Sequence, residues 1–233
     1  MPVLRTTLAV AGWGGLAGVA GWIALTRDCT MKPVPPSDYL FNHTLYARYN
    51  PNNAPVTEDI CIRQVPLNKI KPELLEGKDD GRLVEAFCQG VWGGIGFAYQ
   101  RQFLERKYRG ADTASQLWDR KELKTSRYPV GTQITDHFEV VSKTPTSIIV
   151  RAGDTPRRLE VRESDGLFEM LAEVKEKEGV AEFGLKSVFY NGLAAPDKEG
   201  KPPGPPMSPW IQWLHAQYDK LLMETALRGN VMK

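Results

Sequence analysis

The chain has 233 residues, with little cysteine, little histidine and almost no net charge. Its three cysteines (Cys29, Cys61 and Cys88) stand at wide spacings. An odd count without a CxxC pair gives neither a disulfide framework nor a zinc knuckle. The three histidines (His43, His137 and His215) are far apart, with no HExxH between them. Spacing alone therefore predicts no protein-built metal site, and nothing calls for a cofactor. Lys and Arg number 30 against 28 Asp and Glu. That balance leaves no field to hold a phosphate backbone, so nucleic acid is excluded as a partner. There is no GxSxG nucleophile turn, and Gly93-Gly94-x-Gly96 lacks the Lys-Ser/Thr of a phosphate loop.

What is present begins with an apolar N-terminus. Between Arg5 and Arg27 lie 21 uncharged residues, 6–26. As a helix they would span roughly 30 Å, the thickness of a bilayer core. No small-x-small cleavage site closes the run, and only Arg5 precedes it, so a signal peptide or a mitochondrial presequence fits less well. The expectation is an uncleaved single-pass anchor behind a short flank of residues 1–5, in the endoplasmic reticulum or alternatively a mitochondrial membrane. Gly14 and Gly18 form a GxxxG, a route to a homodimer through the span. Flanking charges give no orientation bias. Asn42-His43-Thr44 is a glycosylation sequon, usable at Asn42 if the domain is lumenal.

Residues 27–57 hold Pro33, Pro35, Pro36, Pro51 and Pro55 and read as an extended tether. Tyr39, Leu40, Phe41, Leu45, Tyr46 and Tyr49 make part of it too apolar to be solvated. That part should pack on the domain or lie at the membrane surface. From residue 58 the signals become regular. Ile60, Ile62 and Val65 predict a strand ended by Pro66, and a short helix follows around Lys69 to Glu76. Val84, Phe87/Cys88, Val91, Ile95, Ala98 and Phe103 then recur at three- and four-residue steps, predicting a helix to about Tyr108. Its glycine-rich centre, GVWGGIGF, should be kinked or closely approached.

After a polar stretch the period becomes two, over 137–140, 147–150, Leu159/Val161, 168–174 and 181–189. This predicts about five antiparallel strands with one apolar and one mostly charged face. Arg151, Arg157, Arg158 and Arg162 should pair with Glu160, Glu163 and Glu169, or alternatively meet anionic headgroups. The stretch KEGKPPGPPMSP cannot be regular. Ser208-Pro209 opens a last helix with Trp210, Trp213, Leu214, Leu221 and Leu222 on one side.

This order of elements resembles the helix-grip arrangement of the START-like superfamily. Two motifs carry the resemblance: Pro129-Val130-Gly131-Thr132 leading into His137-Phe138-Glu139-Val140-Val141, and the ending Trp210-Ile211-Gln212 with Tyr218-Asp219-Lys220-Leu221-Leu222. It implies an α+β domain over 58–233, an antiparallel sheet wrapped around a long C-terminal helix with a cavity between them, here preceded by one transmembrane helix. It brings no catalytic residues. The expected function is a membrane-anchored domain that binds a hydrophobic small molecule or lipid in that cavity. The alternative is a cofactor-independent cyclase or isomerase of a hydrophobic metabolite in a biosynthetic pathway. Candidate catalytic residues are Glu85, Arg101 and Tyr190. Candidate ligand-binding residues are Phe87, Val91, Tyr99, Phe168, Met170, Phe183 and Trp213. His137 and His215 could titrate near neutral pH, though each reads better as a surface histidine.

Overall fold

A computed structural model describes residues 18–76, 80–201 and 203–233. The expected membrane span is corrected here. Among the described residues no helix is long and apolar enough to cross a membrane. Within 6–26 the described residues are 18–26, which form a helix, α1. It docks on the domain, where the Trp22 indole donates to the Gln217 side chain over 3.2 Å. The single-pass membrane localisation loses its support with the span. Residues 6–17, including Gly14 of the GxxxG, lie outside the described residues.

The domain is α+β, with one seven-stranded antiparallel sheet in the order β1-β2-β7-β6-β5-β4-β3. The strands are β1 Thr30–Lys32, β2 Val56–Pro66, β3 Gln133–Ile134, β4 Phe138–Lys143, β5 Ser147–Gly153, β6 Asp165–Lys175 and β7 Val180–Tyr190. The helices after α1 are α2 Thr44–Tyr49, α3 Arg82–Gly93, α4 Ile95–Tyr108, α5 Arg120–Thr125 and α6 Pro209–Ala226. The inner face of the sheet is shared: α3 lies over β5 and β6, while α6 lies over β2 and β7.

Strand alternation explains the core. Phe168, Met170 and Ala172 on β6 stand beside Ser187, Leu185 and Phe183 on β7 in the register of the ladder. Phe87, Val91, Leu222 and Met223 pack with these inward apolar residues. The glycine-rich segment both breaks and makes a close approach. Gly94 is extended (φ −75°, ψ 174°) and separates α3 from α4. A Cβ at Gly90 would lie 2.6 Å from the Ala226 carbonyl oxygen, so only glycine lets α3 cross the end of α6 this closely.

The outer face is also covered. Residues 39–49 lie across it, with Leu40, Tyr46 and Tyr49 packed on Ile149, Leu167, Val188 and Tyr190. Charges expected to face solvent are buried beneath them. Lys186 Nζ lies 2.9 Å from both Asp38 and Glu169, and the Tyr39 hydroxyl donates to Glu169. Arg151 grips Asp165 with two hydrogen bonds of 2.9 and 2.6 Å. Leu159 and Val161 do not form a strand. The loop around them instead turns its carbonyls to the guanidiniums: Arg151 donates to Leu159 and Glu160, and Arg162 to Asp154 and Arg158. The arginines therefore find partners other than the glutamates of the sequence pattern.

Candidate functional site

A cavity of about 340 Å³ opens between the inner face of the sheet and α6. Trp92 and Phe97 from the α3–α4 break, Phe138 at the start of β4, Phe168 on β6 and Phe189 near the end of β7 line it. The rings brace one another: Trp92 lies 5.0 Å from Phe97, 4.7 Å from Phe138 and 6.1 Å from Phe168 between centroids. Such edge-to-face and tilted pairs hold the wall in one arrangement. Few polar groups interrupt it, among them Gln100, His137, Ser164, His215, Tyr218 and Asp219. Two of these satisfy each other, since the Tyr218 hydroxyl donates to Gln100 over 2.8 Å and ties α6 to α4. Burial pushes the Tyr218 phenol well above its ordinary range, with Asp219 adding to the effect.

Part of the polar wall lies on α6, with β2 behind it. On α6, His215 and Asp219 are four residues apart and share a helix face. On β2, Asp59 stands opposite Ser187 and points inward, where alternation would otherwise place an apolar side chain. Asp59 and Asp219 are 7% and 1% exposed. His215 Nδ1 lies 3.3 Å from Asp59 Oδ2 and 3.5 Å from Asp219 Oδ2. Asp59 Oδ1 and Asp219 Oδ2 are buried without a hydrogen-bond partner. Burial pushes the Asp219 carboxyl well above the usual carboxylate range; the His215 charge opposes this and the Asp59 carboxylate reinforces it. Burial also disfavours the His215 imidazolium, but the hydrogen bond to Asp59 and the charges of both carboxylates prevail and raise its pKa. One turn further along α6 a second ion pair joins the same two elements, with Arg63 Nε 2.8 Å from the buried Glu224.

The other histidine of the wall is carried by the β3–β4 loop, where Thr135 and Asp136 have φ of 49° and 56°. Asp136 fixes that loop. It is 1% exposed and accepts hydrogen bonds from Gln116, Thr155 and Arg157. Burial alone would raise its pKa, but these three donors and the Arg157 charge outweigh it and lower the value below the ordinary 3.8. A carboxylate with a depressed folded-state pKa stabilises the fold above its unfolded value, and that contribution disappears as pH falls through the folded one. Asp136→Asn is therefore expected to lose about 1–3 kcal/mol at pH 7. Its urea midpoint should converge on that of the wild-type chain as pH falls through the folded-state pKa. A difference of the same size above and below that pKa would show that the carboxylate charge is not what holds the loop.

The structure does not bring the sequence-selected catalytic residues together. Glu85 accepts from Lys143, and Arg101 donates to the Trp118 carbonyl and to Glu105, each over 3.0 Å. Tyr190 lies beneath the outer cover, 5.6 Å from the Tyr46 ring. Among the ligand-binding candidates, Phe168 lines the cavity. Phe87, Val91, Met170 and Phe183 belong to the packed core, whereas Tyr99 is 85% exposed. Trp213 is half-exposed and stacks on Trp210 over a shallow groove on the far side of α6. Asn42 is exposed on the outer cover. Sequence reasoning passed over Asp59 and Asp219. Their signals were an acid at an inward strand position and a His-x-x-x-Asp spacing on one helix. No family model, no curated protein and no solved structure matches this chain.

Proposed function

We propose that this is a START-like domain whose cavity binds one small, largely apolar molecule with a flat ring system. The observation that carries this reading is the wall itself, in which Trp92, Phe97, Phe138, Phe168, Phe189 and Tyr218 surround about 340 Å³. That volume lies in the range of small-molecule sites, and aromatic walls with few polar groups are their usual construction. The order of elements, with α6 and α3 on one face of an antiparallel sheet, supports the family reading.

Ala152 lines the cavity and is small, so Ala152→Leu fills it from the sheet side. An apolar naphthylamine fluorophore is expected to bind the wild-type chain at one per molecule and Ala152→Leu at least tenfold more weakly. Trp213→Ala should bind it as the wild type does. Equal binding by Ala152→Leu, or loss in Trp213→Ala, would move the ligand site out of the cavity. A second reading, a cofactor-independent cyclase or isomerase, is favoured by His215 standing at the wall with Asp59 on its Nδ1, an arrangement suited to proton transfer.

A further inference from the structure

We infer that Asp59, His215 and Asp219 form a binding site for a divalent transition-metal ion, with Zn²⁺ as its probe, on the wall of the cavity. One ligand atom from each residue lies within 4.8 Å of the other two. The two distances from His215 fit the ligand spacing of an ion and are long for a charge-assisted hydrogen bond. A charge-assisted N–H···O bond closes to about 2.7–2.9 Å, whereas His215 Nδ1 stands 3.3 and 3.5 Å from the two carboxylate oxygens. An ion with tetrahedral bonds of roughly 2.0–2.1 Å holds its ligands about 3.3 Å apart. The second observation is independent of spacing. Asp219 is 1% exposed, and the oxygen it turns to His215 has no hydrogen-bond partner; Asp59 is 7% exposed and keeps an unpartnered oxygen of its own. With both carboxylates ionised, one imidazolium balances only one of the two buried charges, and a divalent ion would balance both.

The ligand set is one imidazole and two carboxylates, a donor mixture suited to Zn²⁺ or Mn²⁺ and unsuited to soft ions such as Cu⁺. Asp219 and His215 both line the cavity, so an ion here would be open to a cavity-bound molecule on one side. It could then polarise an oxygen of that molecule. Such an ion would take the Nδ1 that Asp59 holds in the cofactor-independent reading, and the two accounts of the cluster separate on that point.

The test uses the full chain, stripped with a chelator and dialysed against Zn²⁺ with no organic ligand present, so that its outcome does not depend on cavity binding. One ion per chain is expected. Asp219→Asn and His215→Ala should bind at least 100-fold more weakly, while His43→Ala and His137→Ala keep wild-type affinity. Circular dichroism checks that each variant folds. X-ray absorption at the zinc edge of the wild-type chain guards against a folding failure, with one imidazole and oxygen ligands expected. A wild-type chain that retains no stoichiometric zinc would overturn the proposal. Undiminished binding in both variants would do the same, and so would thiolate ligation through Cys29 or Cys61.

Discussion

Replacing Asp165 by asparagine is expected to cost about 3–5 kcal/mol of stability, the usual penalty for leaving half of a buried ion pair behind. Arg151 and Asp165 have side chains 2% and 0% exposed and meet in a two-pronged contact beneath the outer cover. The Arg151 guanidinium also lies 3.7 Å from the centre of the Tyr49 ring and donates to two carbonyls of the 155–164 loop. The pair thus ties β5, β6, the cover and that loop together. Asparagine keeps the shape of the acid but turns an amide N–H₂ group toward an arginine that cannot release its charge. At roughly 2–4 °C per kcal/mol for a chain of this size, the thermal midpoint should drop by about 6–20 °C. Arg151→Met combined with Asp165→Leu should recover most of the loss, because desolvating both charges is itself expensive. A single variant as stable as the wild type would mean that water reaches the pair.

Phe87→Ala is expected to cost a similar amount, about 3–5 kcal/mol, through lost burial and the void left behind. Phe87 is fully buried on α3, and its ring meets Phe183 edge-on at 5.2 Å. It does not line the cavity, so fluorophore affinity should stay within a few-fold of wild type at temperatures where the variant is folded. Phe168→Ala should behave in the opposite sense, changing affinity strongly for a smaller loss of stability, since one side of that ring already faces open space. Calorimetry paired with fluorophore titration separates the two. A Phe87→Ala chain that kept its midpoint but lost its ligand would place Phe87 in the wall instead of the core.

The contrast between those two phenylalanines shows where the sequence is legible. Alternation in 168–174 and 181–189 defines β6 and β7 and their apolar face because a strand has only two sides. Periodicity likewise marks Phe87 as buried, but it cannot distinguish a buried ring that meets another ring from one that meets a void. That difference is set by how far α6 stands from the sheet, and Gly90 against Ala226 sets the crossing from afar. Glu85 and Arg101, two of the catalytic candidates, flank the glycine-rich segment. Their helix faces turn them to Lys143 and the Trp118 carbonyl. Tyr190, the third catalytic candidate, stands at a strand end, and its parity along β7 puts it on the outer face with Val188 and Lys186. The hydropathy of the N-terminal run does not register that Trp22 has a partner on α6. Asp59 and His215 are separated by 156 residues, and only the sheet register and the seat of α6 bring them together.

The sheet is also graded in length. Its interior strands β2, β6 and β7 each run 11 residues, while the outermost, β1 and β3, have 3 and 2. Beyond β3 the border is closed by the chain itself, with Leu117 donating to Gln133 and Thr135 to Leu117. Another polypeptide seeking to extend the ladder would find short, irregular margins, one of them flanked by proline at position 129 and backed by a loop. Long, flat borders are where strands of neighbouring molecules add and aggregates begin. Here the residues with the strongest strand-forming character lie in the middle of the sheet, and its margins discourage lateral growth.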